Sequence, residues 1–222
     1  MAIRDLFPAL AFLLLCPASG AAQTGVPQLK VPFVRVRWSG TTLHVTYQAQ
    51  KIDHDFRDAR PNQSKPEYEQ FSPYQIESVK TQRLLEKDGT VYMLLDLRGP
   101  SRGPEAASSY CGAGTEKALV LLKMDFEGLL EEPQVVNYES CLMTIGTDAE
   151  EDDSQSLSPS STQPIVKVVS FTRMGGPADP KDFATNRNLV TLEIRFDPAR
   201  PEAGLATKEK VEDYKTATSK SQ

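Results

Sequence analysis

Apolar residues recur at every second position in several separate segments of this chain, and that period restricts it to β-sheet. The first such segment is Phe33-Val-Arg-Val-Arg-Trp38, followed by Ser39-Gly40 and Thr41-Thr-Leu-His-Val-Thr-Tyr47. Both flanks alternate, so the pair reads as a hairpin. With Ser39-Gly40 as a two-residue turn, Trp38 pairs with Thr41, Val36 with Leu43 and Val34 with Val45. The opposite face then carries Arg37 against Thr42 and Arg35 against His44. Side chains of one face pack together, so Trp38 is expected in the core beside Val36 and Val34.

Three further strand pairs follow. Ile76 to Glu86 and Val91 to Leu97 flank Asp88-Gly89, a dipeptide that favours the tight hairpin turn. The second of these segments is apolar at nearly every position, as in a strand covered on both faces. A third hairpin spans about 117–145 and turns near Glu127-Gly128, and a fourth joins 165–171 to 188–196. No long helical stripe interrupts them. The expected fold is all-β, an antiparallel sandwich or open barrel of about eight strands in hairpins with long loops. The hairpins begin roughly forty residues apart but share no residue signature, so no repeat is inferred.

Residues 1–22 combine a short charged start, an apolar run ending near Cys16 and a small-residue zone ending at Ala22. That layout is a secretory signal peptide, and the apolar run is shorter than the roughly 20 residues a membrane span needs. Leu15 before Cys16 disfavours a lipidation site. The expected organisation is a signal peptide at 1–22, a single β-domain at 23–197 and a charged flexible tail at 198–222. The expected compartment is secreted or periplasmic, with no membrane span after cleavage near Ala22. Arg4 and Asp5 cancel, so cleavage leaves the net charge at −5. A mildly acidic chain with mixed charges does not present the clustered cations of a nucleic-acid binder.

Cys111 and Cys141 are the only cysteines beyond the leader and lie thirty positions apart. An exported chain with two cysteines points to one disulfide, worth about 3–4 kcal/mol by loop entropy. Gly112 and Gly114 between Cys111 and the apolar run at 118–122 supply permissive backbone where the chain turns into a strand. This loop lacks the lysine and the following helix of a phosphate cradle.

Gly99-Pro-Ser101-Arg-Gly103 matches the G-x-S-x-G pattern after a predicted strand. A nucleophile elbow needs a helix next and a histidine later, whereas Pro100 and Pro104 flank Ser101, and His44 and His54 both precede it. A triad in another chain order, Ser101 with His44 or His54, is the alternative, a secreted or periplasmic hydrolase. Asp53-His54-Asp55 with His44 falls short of a zinc ligand set, and the acidic run 148–153 lacks the spacing and glycine of an EF-hand loop. Asn62-Gln63-Ser64 is a glycosylation sequon. No catalytic residue, metal ligand or cofactor site is assigned.

Two long loops, 49–75 and 99–115, are the natural binding elements on a rigid sheet. Tyr68, Phe71 and Tyr74 stand among the prolines and charges of the first and are its candidate contact residues. The expected function is an exported, non-catalytic binding or interaction domain whose partner is a protein or glycan.

Overall fold

The computed structural model describes residues 33–58, 66–103, 114–142, 145–146, 159–174 and 187–213. Among them the chain forms three short strands first: β1 (Val34–Ser39), β2 (Thr42–Tyr47) and β3 (Gln50–Asp55). These make one antiparallel sheet in that order. Then come β4 (Ser78–Lys87), β5 (Thr90–Pro100), β6 (Thr115–Met124), β7 (Gln134–Ser140), the two-residue β8 (Ile145–Gly146), β9 (Ile165–Met174), β10 (Arg187–Phe196) and β11 (Leu205–Asp213). They follow one another in sequence order across a second antiparallel sheet.

Hydrogen bonding runs through β8 by few pairs, Ser140 with Ile145 on one side and Ile145 with Phe171 on the other. The second sheet therefore divides at β8 into a β4–β7 layer and a β9–β11 layer. Alternation along β5 and β6 shows how the layers stack. Val91, Met93, Leu95, Leu97, Ala118, Val120 and Leu122 share a core with Leu43, Val45, Ile52 and Phe56 of the first sheet. The intervening Leu94, Leu119 and Leu121 pack with Val169, Phe171, Val190, Leu192, Ile194 and Phe196. Strands β5 and β6 are thus apolar on both faces because both faces are covered. The fold is an all-β antiparallel sandwich.

Several expectations are corrected. The first hairpin turns at Gly40-Thr41, so Ser39 pairs with Thr42, Trp38 with Leu43, Arg37 with His44 and Val36 with Val45. The register moves by two residues, which keeps every side chain on its expected face. Gly40 takes φ of 56°, the left-handed region that a glycine adopts without strain. Trp38 shares the apolar face but is 39 % exposed, because it stands near the end of β1, the free edge strand of its sheet. Residues 50–55, expected as loop, form β3, and their alternation of buried Ile52 with exposed Lys51 and Asp53 completes the first sheet. Leu205–Asp213, expected in the flexible tail, is the edge strand β11 and pairs with β10 along its whole length. Strand pairing accepts such a polar sequence because an edge strand needs only one apolar neighbour and keeps charges outward. Residues 1–22, expected as a signal peptide, the acidic run 148–153, Asn62, Cys111 and residues 214–222 lie outside the described residues.

Candidate functional site

The two long loops meet at one groove. The Tyr74 amide donates to the Pro100 carbonyl at 2.9 Å, and the Glu77 amide to Arg98 at 2.8 Å, so the end of the first loop is laid along the end of β5. Gly99 makes this approach feasible: a Cβ there would collide with the Gln75 carbonyl oxygen. Ser72, Pro73 and Tyr74 from the first loop face Ser101, Arg102 and Gly103 from the second, with Leu142 closing one end, around a volume of about 380 Å³.

The floor of the groove is polar and locked. Ser101 is 5 % exposed and Glu116, on β6, is 1 % exposed. The Ser101 hydroxyl donates to Glu116 Oε1 at 2.6 Å, and the Leu142 amide donates to the same oxygen at 3.3 Å. Glu116 Oε2 accepts from Asn137 Nδ2 at 3.4 Å, and that amide also donates to the Gln70 carbonyl at 3.0 Å. A carboxyl group buried this deeply is retained by such donors. Glu116 thereby ties β5, β6, β7, the first loop and the turn after β7 to one point. Cys141 in that turn is disulfide-bonded, and its partner lies outside the described residues. Gly114 fits beneath it, since a Cβ at Gly114 would run into the Cys141 side chain and come within 2.9 Å of Ser101 Oγ.

The aromatic residues of the first loop divide. Phe71, 1 % exposed, joins one core and Tyr68 joins the other, so these two hold the loop down. Tyr74, 48 % exposed, is the one that presents a ring to the groove. Ser101 follows the last residue of β5 and enters a bend. Its hydroxyl is engaged by Glu116, and neither histidine lines the groove.

The histidines lie on opposite faces of the first sheet. His54 pairs in register with Leu43, and its ring meets Phe56 edge-on at 4.7 Å between centroids. Burial there holds its pKa below the ordinary imidazole value, outweighing the charges of Glu132 and Asp55. His44 points outward, to Ser39 and Asp53. The two rings do not converge, and among the described residues no group of three histidine, cysteine or carboxylate side chains is placed to hold a metal ion.

Sequence reasoning named Ser101 and Tyr74 as candidates and gave no site role to Glu116, Asn137, Arg102 or Leu142. A glutamate inside an apolar strand, Glu116 before Ala118-Leu-Val-Leu-Leu122, is the signal that marks a buried carboxylate. Comparison with protein-family models, with curated proteins and with solved structures found no match for the chain.

Proposed function

We propose that this chain is an exported binding domain that takes a short segment of a protein or glycan into the groove between residues 72–74 and 101–103. The observation that carries the reading is the meeting of two loops, distant in sequence, around one concavity built on a strand buried on both faces. Its volume, about 380 Å³, falls within the range of about 300–1,000 Å³ typical of ligand sites. Its walls combine an aromatic ring (Tyr74), apolar surface (Pro73, Leu142), hydroxyls and an exposed cation (Arg102). Tyr74 offers a stacking face and Arg102 a fork of donors, a combination suited to a segment that carries an acidic group.

The Glu116 network supports binding rather than turnover, because it immobilises Ser101 as a rigid wall and engages its hydroxyl proton in a bond to a buried carboxyl that also accepts from Asn137 and Leu142. Export rests on the leader at residues 1–22 and on a cysteine engaged in a disulfide. Intact-mass measurement on protein from its native source is expected to show a chain beginning close to residue 23.

The binding reading is tested on arrays of acidic glycans and peptides, probed with the mature chain and with a Tyr74→Ala/Arg102→Ala double variant. Retention of a defined ligand that falls at least tenfold in the double variant supports it. Absence of binding by the mature chain, or equal binding by the variant, overturns it.

A further inference from the structure

The outward face of the first sheet carries a second constellation that the groove does not use. Ser39 ends β1, His44 lies in β2 and Asp53 in β3. Register places His44 directly beside Asp53, and Ser39 diagonally from His44 across the hairpin. His44 Nδ1 stands 2.7 Å from Asp53 Oδ1, and His44 Nε2 stands 2.9 Å from Ser39 Oγ. An ionised carboxylate only accepts hydrogen bonds, so in the neutral ring Nδ1 carries the proton and donates to Asp53. Nε2 is left with its lone pair and accepts the Ser39 hydroxyl. Nucleophile, base and orienting acid are thus joined in the order that activates a serine, a constellation defined by geometry and not by chain order.

The set is open to reactants. Ser39 is exposed, and the His44 and Asp53 side chains are 39 % and 66 % accessible. Arg35, Arg37 and Lys51 are exposed on the same face, with Arg37 the register partner of His44. These three cations outnumber the two carboxylates of that face, Asp53 and Asp55, and favour a reactant bearing negative charge.

We propose that Ser39 is the nucleophile of a hydrolytic site, with His44 as its base and Asp53 as a positioning residue, acting on small esters that carry an acidic group. Ser39 Oγ attacks the ester carbonyl as His44 Nε2 takes the hydroxyl proton. The bond from the acyl carbon to the leaving oxygen breaks, and His44 returns the proton to that oxygen. Water then adds to the acyl–Ser39 ester, its proton passing through His44 to restore the serine hydroxyl and release the acid. Asp53 holds the tautomer that makes Nε2 the acceptor and steadies the imidazolium between the two proton transfers.

The test uses the mature chain and a fluorophosphonate probe, which forms an Oγ–phosphorus bond with loss of fluoride, followed by peptide mapping. The expected adduct is on Ser39 and is absent from Ser39→Ala. His44→Gln is expected to slow labelling by about 100-fold or more, in line with the contribution of a positioned base. Asp53→Asn slows it as well, whereas Asp53→Glu, which keeps an acceptor-only carboxylate, restores part of the rate. Hydrolysis of an acidic aryl ester is expected to follow the same order. All three positions are on the surface, and matching circular dichroism shows that the variants are folded. The wild-type adduct is decisive by itself: no adduct on Ser39, an adduct on Ser101 instead, or an unchanged rate in His44→Gln overturns the proposal.

Discussion

The Ser101 hydroxyl donates to Glu116 Oε1 at 2.6 Å, with both side chains buried, and this bond joins the end of β5 to the start of β6 directly beneath the groove. The same carboxyl oxygen accepts from the Leu142 amide, which brings the disulfide-bonded Cys141 into the same unit. Ser101→Ala removes one of the donors that hold the buried Glu116 carboxyl. The expected loss is about 1–3 kcal/mol, the cost of leaving a buried polar group short of a partner. Urea denaturation of the variant reads it, and an unchanged midpoint argues against a structural role for the bond.

Gly99→Ala places a Cβ against the backbone carbonyl of Gln75, an atom held in place by the neighbouring bonds from Ile76 to Gly40 and from Glu77 to Arg98. Neither the loop at Gln75 nor the end of β5 is free to move, so the expected destabilisation is about 1–3 kcal/mol. Ligand binding in the groove is expected to weaken with it, because residues 73 and 74 are displaced from Pro100. A variant of wild-type stability shows that the first loop gives way more easily than its bonds suggest.

His54 supplies a pH dependence. Burial lowers its folded pKa below the ordinary value of 6.5, so the folded chain binds fewer protons than the unfolded chain between those two values. Stability is therefore fully present above about 6.5 and is lost as pH falls through the folded pKa. Asp55, whose carboxyl is held below the usual range by the Thr41 hydroxyl and the Arg57 amide, acts at lower pH and with the same sign. In His54→Leu the slope just below pH 6.5 is expected to disappear while the acid limb remains. Denaturation midpoints measured from pH 7 down to pH 3 distinguish the two, and a slope unaltered by the substitution assigns it to another group.

The disulfide of Cys141 has one expected partner. Cys111 is the other cysteine beyond residue 22, and it stands three positions before Gly114, which lies against the Cys141 side chain. Peptide mapping without reduction is expected to recover a Cys111–Cys141 cross-link from the mature protein. Cys141→Ser is expected to cost about 3–4 kcal/mol by loop entropy. Two titratable thiols in the denatured, unreduced mature chain refute the pairing.

By itself the sequence determined the class of fold, because an alternating pattern buries one face only as a strand. It also announced that β5 is covered twice, since a run such as Val91-Tyr-Met-Leu-Leu95 has no polar face to offer water. Pairing register was within its reach only to the nearest two residues: a shift by two preserves faces, so alternation is blind to whether the turn is Ser39-Gly40 or Gly40-Thr41. Tertiary structure decided the rest. Trp38 lies on the apolar face and is still part-exposed, because coverage depends on where the opposite layer ends. The polar segment Leu205–Asp213 became a strand because β10 offered it a row of unpaired backbone groups, a property of β10 and not of the segment. Both sets, Ser101 with Glu116 and Ser39 with His44 and Asp53, join side chains from separate strands or strand ends. Their proximity is created by cross-strand registry and loop docking, which no local pattern along the chain records.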